Sequence, residues 1–152
     1  MSANVIDLLN EARSRELLAI GQYMSQHYQL EDIMYGKLAH RMKEIGIEEM
    51  KHAEALAERI LFLGGTPVSK PSGSPAARQD IPAMLKTDIG LEEEAVRMYN
   101  ESALACAQLG DNVSRDLFAR LLAEEERHLD EFQNTTDHIE KLGAAYLATL
   151  TG

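Results

Sequence analysis

Hydrophobic residues recur every three or four positions along four long stretches of this chain, which is the period of an amphipathic α-helix. Turn-forming residues separate these stretches at 34–36, 64–82 and 110–112, and Gly143 ends the last one. Residues 144–150 are apolar again and predict a short fifth helix. The pattern therefore predicts an all-α fold.

The lengths of the connections predict how the helices are arranged. Short turns make the first and second helices antiparallel neighbours, and likewise the third and fourth. The middle segment, 64–82, is rich in Gly, Ser and Pro and is long enough to cross the whole bundle. This is the one-crossover topology of ferritin-like antiparallel four-helix bundles. We expect residues 1–152 to form a single domain of this kind.

Composition and charge narrow the range of partners. The chain has 25 acidic and 15 basic residues, giving a formal charge of −10. That charge argues against nucleic acid or an anionic membrane as a partner and favours cations. No signal peptide or membrane span is visible, and Cys106 has no second cysteine to pair with in the chain. We expect a cytoplasmic protein.

Six candidate metal ligands occupy positions in the apolar stripes where Leu or Ala would be expected. They are Glu16, Glu49, His52, Glu92, Glu125 and His128. In each half of the chain a Glu is followed 33 residues later by a Glu-x-x-His motif. A single motif of this kind is usually a solvated ion pair on a helix surface. Its duplication at matched spacing, on core-facing positions, instead predicts a paired-metal site.

Electrostatics supports the same interpretation. Four carboxylates in one core would repel one another, and two divalent cations would neutralise them. Oxygen and imidazole ligands without thiolate suit iron or manganese better than zinc. We predict that Glu49 and Glu125 bridge the metals, that Glu16 and Glu92 are terminal ligands, and that each metal has one imidazole. Two adjacent metals of this kind suit reactions with dioxygen or peroxide.

Other polar residues on the same stripes have less certain roles. Asp88, one turn before Glu92, is predicted either to orient a ligating imidazole or to be a charge at the start of a helix. Tyr23 and Tyr99 each follow a ligand Glu by two turns, and are expected to fill the core, with a redox role open for Tyr23. The remaining histidines are interpreted as surface or ordinary core residues. They are His27, His40 and His138.

Several strings in the chain resemble bacterioferritin, over nearly its whole length. They are RELLAIGQY at 15–23, EEMKHAE at 48–54, ERILFLGG at 58–65, VSRDL at 113–117 and EEERH at 124–128. The resemblance implies iron storage and detoxification in a shell of 24 identical subunits. It implies a ferroxidase whose di-iron centre oxidises Fe(II) with dioxygen or peroxide and deposits a ferric mineral. It also implies an electron donor for iron release.

The resemblance further implies a haem, b-type or related, held by one Met from each of two symmetry-related subunits. Met50 is the candidate, because one residue on from Glu49 is a rotation of about 100° and points away from the bundle core. Many bacterioferritins have a His and an Asp on the cavity-facing side of the second helix. Here Glu44 and Glu48 stand at those positions. They are predicted either to collect iron on the inner wall or to be an ordinary solvated acidic face.

Other functional classes fit the chain less well. The main alternative is a rubrerythrin-like di-iron peroxidase or oxidase without mineral storage, but a single Cys leaves no room for the usual Cys-rich electron-transfer domain. An oxygenase would need a longer chain to enclose its substrate. A DNA-protecting mini-ferritin shares its site between subunits, and a metal-free bundle does not account for four core-facing Glu.

Overall fold

Four long helices and one short helix make up the chain in this computed structural model, which describes residues 2–152 and, for side chains, residues 5–152. The helices are α1 (Ser2–Asp32), α2 (Gly36–Phe62), α3 (Ile81–Gln108), α4 (Asn112–Leu142) and α5 (Ala144–Ala148). The main packing pairs are α1 with α2 and α3 with α4, and the two pairs meet through α1 with α3 and α2 with α4. The predicted ferritin-like four-helix bundle with a fifth helix is confirmed. The single-domain assignment of 1–152 stays a prediction.

Glycine ends three of the long helices where the backbone turns left-handed, at Gly64, Gly110 and Gly143. Gly64 after α2 has φ 90°, and the next amide, that of Gly65, donates back to the Ile60 carbonyl at 2.9 Å. Gly110 after α3 has φ 81°, and the Asp111 amide donates to the Cys106 carbonyl at 2.9 Å. Both are the closing hydrogen bonds expected where a Gly follows a helix.

Asp111 caps α4 and ties it to α2. Its carboxylate accepts from the Ser114 amide at 2.9 Å, an N-cap bond. Arg59 of α2 donates to the same carboxylate at 2.9 Å and to the Ser114 hydroxyl at 2.9 Å. Partial burial would raise the pKa of Asp111, but these hydrogen bonds and the Arg59 charge lower it. The cap therefore stays ionised and fixes the register of the two helices that carry the Glu-x-x-His motifs.

The crossover between α2 and α3 lies along α1, as its length predicts. Arg13 donates to the Val68 carbonyl at 2.8 Å, Ser14 to the Lys70 carbonyl at 2.8 Å, and the Ala76 amide donates to Gln22 at 2.7 Å. Side chains of α1 thus satisfy the polar backbone of a segment that has no regular structure of its own.

Two apolar layers pack above and below a polar layer in the middle of the bundle. One layer includes Tyr23, Met42, Leu85 and Phe132, and the other includes Leu9, Leu56, Tyr99, Phe118 and Leu121. Between these two apolar layers, the same helix stripes carry acidic and imidazole side chains, and these side chains are also buried. Within residues 2–152, no helix has both the length and the hydropathy needed to cross a membrane.

Candidate metal centre

The four long helices each contribute ligand candidates to the polar layer. Glu16 comes from α1, Glu49 and His52 from α2, Glu92 from α3, and Glu125 and His128 from α4. All six side chains are buried. Because Glu and His three residues apart lie on one face of a helix, α2 and α4 each present both groups to the same point.

The six residues form two overlapping clusters of donor atoms. One cluster contains Glu16, Glu49, His52 and Glu125, and the other contains Glu49, Glu92, Glu125 and His128. Within each cluster, one donor atom from every residue lies within 4.8 Å of all the others. Glu49 and Glu125 belong to both clusters, which is the arrangement expected of two carboxylates shared between neighbouring cations.

Each imidazole points its Nδ1 atom into the clusters. His52 Nδ1 lies 2.8 Å from Glu16 and 3.0 Å from Glu49. His128 Nδ1 lies 3.0 Å from Glu125 and 3.6 Å from Glu92. The geometry therefore identifies Nδ1 as the nitrogen available to a metal in both halves.

The Nε2 atoms face a second pair of carboxylates. His128 Nε2 contacts Glu48 at 2.6 Å, and His52 Nε2 lies 3.3 Å from Glu124. A carboxylate on the far nitrogen of a ligating imidazole fixes its orientation and tautomer. The sequence interpretation missed Glu124. For Glu48 it left two alternatives open, the collection of iron on the inner wall and an ordinary solvated acidic face. The signal was present, since each of these residues directly precedes a Glu-x-x-His motif.

Several buried oxygens in the clusters lack hydrogen bonds. Within the part of the chain whose side chains are described, neither carboxylate oxygen of Glu49 has one of acceptable geometry, and the same holds for Glu92 Oε2 and Glu125 Oε2. Buried polar atoms are nearly always satisfied, so such a group of orphaned oxygens calls for a partner. Divalent transition-metal ions such as Fe(II) bind carboxylate and imidazole groups together, and the donor set fits a pair of them.

Burial and mutual repulsion perturb the carboxyl groups strongly. Burial raises the pKa of Glu49 well above its ordinary 4.5, and the charges of Glu16 and Glu92 raise it further. The pKa of Glu125 is raised in the same way, first by burial and then by Glu16 and Glu49. Without metal, these two groups therefore tend to hold protons.

The two imidazoles are perturbed by the same carboxylates. Burial alone would lower the pKa of His52, but Glu16 and Glu125 raise it to about 9. Burial likewise acts against protonation of His128, and Glu125 and Glu92 raise its pKa to about 10. Protons on imidazole and carboxyl groups thus offset the clustered negative charge when no cation is bound, and cations would displace them.

The two tyrosines differ in their contacts. The Tyr23 hydroxyl donates to Glu92 at 2.5 Å. The Tyr99 hydroxyl has no hydrogen-bond partner among the described side chains. Burial raises the pKa of each phenol well above 10, and neighbouring carboxylates add to this, those of Glu92 for Tyr23 and Glu16 for Tyr99. Both rings pack in the core, as predicted, and Tyr23 alone hydrogen-bonds a ligand candidate.

Asp88 does not orient an imidazole. It is buried on the same face as Glu92, but its neighbouring polar group is Gln26, and the imidazoles instead meet Glu48 and Glu124. Burial raises the pKa of Asp88 well above 3.8, Gln26 opposes that shift and Glu92 adds to it. The physical reason is helical geometry, since Asp88 lies one turn before Glu92 and thus away from the level of the imidazoles.

Glu44 and Glu48 share Arg41 as an ion-pair partner but differ in their other contacts, and their role in collecting iron stays a prediction. Glu44 is exposed and lies 3.5 Å from Arg41 and 3.6 Å from His40, whereas Glu48 points at the imidazole of His128. Of the histidines not assigned to the clusters, His40 and His138 are exposed, and His27 is buried with its Nδ1 bonded to the Ala39 carbonyl. The interpretation of these three as surface or core residues agrees with the structure.

Comparison with known proteins bears on the same features. Residues 6–142 match the family model described as a ferritin-like domain. Bacterioferritin from Desulfovibrio desulfuricans is 44% identical over 150 residues, covering 99% of this chain and 84% of the relative. Bacterioferritin from Brucella melitensis is 39% identical over 139 residues, covering 91% and 86%.

The chain belongs to the bacterioferritin family. An X-ray structure of the D. desulfuricans bacterioferritin, solved to show its diiron site in different catalytic states, is similar with a TM-score of 0.97, covering 99% of this chain and 88% of that one. Family membership confirms the predicted role in iron storage and iron oxidation. The structural match supports the bacterioferritin fold. That match and the two clusters together support a di-iron site.

Proposed function

We propose that this bacterioferritin is a ferroxidase in which Glu16, Glu49, His52, Glu92, Glu125 and His128 bind two iron ions per chain. The observation that carries the proposal is the overlap of the two clusters at Glu49 and Glu125. Fe(II) is the substrate, and the bound pair supplies electrons to dioxygen or peroxide. Bacterioferritins of this kind then deposit the Fe(III) product as mineral.

The protein's own groups have three tasks in this reaction. The four carboxylates neutralise two divalent cations and displace water from them. The Nδ1 atoms of His52 and His128 bind one cation each after losing their protons. Glu48 holds the His128 ring by a hydrogen bond at Nε2, and Glu124 lies 3.3 Å from Nε2 of His52. The Tyr23 hydroxyl holds Glu92 in one orientation. Glu49 and Glu125 are the proposed bridging ligands, and Glu16 and Glu92 the terminal ones.

Stopped-flow oxidation of added Fe(II) tests the assignment. The wild-type protein should show a fast phase that saturates near two irons per chain. Glu49→Gln removes one shared carboxylate with little change in volume and should abolish that phase while the assembly stays intact. Glu54→Gln is the matched control, since Glu54 is exposed on the same helix. A fast phase of normal size in Glu49→Gln would refute the ligand set.

We further propose that Met50 binds haem, b-type or related, together with Met50 of a second subunit. Its side chain is 41% exposed on α2, beside the 40% exposed Ile47, so a thioether and an apolar surface are both available outside the bundle. A two-fold axis would supply two identical axial ligands from one residue. Thioether ligands favour the ferrous state, so such a haem suits electron delivery to stored iron from an electron donor.

Replacing Met50 by Leu tests the haem proposal separately from iron oxidation. The variant keeps the apolar volume and loses the sulfur. We expect loss of the absorption spectrum of a haem with two Met ligands, slower reductive iron release and an unchanged fast phase of iron oxidation. A variant that binds haem with the wild-type spectrum would eliminate Met50 as a ligand.

The assembly and location are proposed on the same basis. We propose a cytoplasmic homo-oligomer of 24 subunits that forms a shell around the mineral, without nucleic-acid or membrane partners. Support comes from the family and from the acidic composition of the chain. Light scattering coupled to size-exclusion chromatography distinguishes a 24-subunit particle from a smaller assembly. A smaller assembly would favour the alternative function, a rubrerythrin-like di-iron peroxidase or oxidase without mineral storage.

A further inference from the structure

One feature of the metal centre breaks the similarity between the two halves of the chain. Arg15 directly precedes Glu16, whereas Leu91 stands at the matching position before Glu92. The Arg15 side chain is 1% exposed and lies against the clusters. It is therefore a buried cation in a site that is otherwise made of two equivalent halves.

Arg15 contacts the terminal carboxylate of one cluster and a carboxylate that both clusters share. Its Nη1 donates to Glu16 Oε1 at 3.2 Å and lies 3.5 Å from Glu125 Oε2. Its Nη2 donates to the backbone carbonyl of Leu91, which holds the guanidinium in place. Glu16 belongs to the His52 cluster alone and Glu125 belongs to both clusters. Within the described side chains, no ion pair joins Arg15 to Glu92, the terminal carboxylate of the His128 cluster.

The two tyrosines follow the same asymmetry. Tyr23 donates to Glu92, the terminal carboxylate of the His128 cluster. By the internal repeat, Tyr99 would be expected to donate to Glu16. Instead, the Arg15 guanidinium lies 6.0 Å from the centre of the Tyr99 ring and donates a hydrogen bond to Glu16 Oε1. One terminal carboxylate therefore has a neutral hydroxyl partner, and the other has a permanent positive charge.

We propose that Arg15 is a positioning residue that makes the two metal positions unequal, so that a divalent cation binds first and more tightly on the Glu92–His128 side. A guanidinium stays protonated at every pH the protein meets, so its charge is a fixed property of the site. It repels a cation on the Glu16–His52 side more strongly than one on the far side. It also occupies an oxygen of Glu16, a ligand candidate of the His52 cluster alone. The inference rests on the proposed two-metal centre.

Anaerobic titration of the metal-free protein with Co(II), followed by its visible absorption and by calorimetry, tests this inference without any turnover. The wild-type chain should bind two Co(II) in two steps. Arg15→Met removes the charge but keeps an apolar side chain of similar length, and should bring the two dissociation constants closer together by about tenfold or more. Arg15→Lys should keep the wild-type separation.

Two further sets of variants keep the test decisive. Arg15→Gln is neutral but can still hydrogen-bond, and should act like Arg15→Met if the latter folds poorly. Arg13→Met is the matched control. In the described residues the Arg13 side chain donates to the Ala53 and Val68 carbonyls, so this variant should leave both binding steps unchanged. His128→Ala should remove the tight step, and His52→Ala the weak one.

Three outcomes would overturn the inference. The first is an equal ratio of the two dissociation constants in Arg15→Met and the wild type. The second is an Arg15→Lys protein that behaves like Arg15→Met. The third is loss of the tight step in His52→Ala rather than in His128→Ala. Failure of the wild-type chain to bind two Co(II) would refute the proposed centre itself. If the wild-type chain binds two Co(II) and the Arg15 variants bind them with the same two dissociation constants, this inference alone is refuted.

Discussion

Replacing Glu49 by Gln should make the metal-free protein more stable while it removes the metal site. Glu49 is fully buried beside Glu16 and Glu92, and its pKa is raised well above 4.5. The metal-free fold therefore favours the protonated form of this carboxyl more than the unfolded chain does. A neutral amide of nearly the same shape needs no such proton.

The size of the effect follows from the relief of repulsion between buried carboxylates. Single substitutions change protein stability by about 0.5–3 kcal/mol, and relief of an uncompensated buried charge lies at the upper end of that range. The free energy of unfolding of metal-free Glu49→Gln should rise by about 2–3 kcal/mol. For a chain of this length, that is an increase of about 4–12 °C in the melting temperature.

Thermal unfolding with and without Zn(II) measures both halves of the prediction. Zn(II) should raise the melting temperature of the wild type, since a ligand that binds only the folded state stabilises it, and should raise that of Glu49→Gln much less. Glu54→Gln on the same helix should behave like the wild type in both conditions. A metal-free Glu49→Gln protein that melts below the wild type would refute the argument that Glu49 is held under electrostatic strain.

Two further predictions concern the same polar layer. Because the pKa values of His52 and His128 are raised to about 9 and 10, the folded chain holds more protons than the unfolded chain. The stability that these two protonated imidazoles contribute is complete below pH 6.5 and is lost as pH rises towards 9–10. The melting temperature of the metal-free protein should therefore fall across pH 6–9, and a flat profile would contradict the raised pKa values. Tyr23→Phe leaves a buried oxygen of Glu92 unpaired and should lower the free energy of unfolding, measured in urea, by about 1–3 kcal/mol. Tyr99→Phe removes no hydrogen bond seen in residues 5–152 and should cost less, so equal losses would count against the Tyr23 hydrogen bond.

The fold was predictable from the sequence because its signals are local. Apolar residues at helical spacing, the glycines at 64 and 110, and one long crossover determine how many helices form and which ones pair. The duplicated Glu-x-x-His motif likewise depends only on spacing along a helix, which is why its side chains meet. Periodicity of this kind survives in a single sequence without any structural information.

What the sequence could not show depends on contacts between helices. Glu124 and Glu48 cross the bundle to reach imidazoles on the opposite motif, and spacing within one helix does not predict that crossing. Arg15 is one residue from Glu16 and would be expected on another face, yet a long flexible side chain brings its guanidinium to the clusters. Asp88 has the right spacing from Glu92 but lies at a different level of the bundle.

The most direct test of the central claim is X-ray diffraction from iron-loaded crystals, with anomalous data collected on either side of the iron absorption edge. The account predicts two iron peaks per chain in the polar layer, about 3.5–4 Å apart. Both should lie between the carboxylates of Glu49 and Glu125, with one peak next to each Nδ1 atom of His52 and His128. A single peak, or peaks found only on exposed acidic residues such as Glu44, would contradict it.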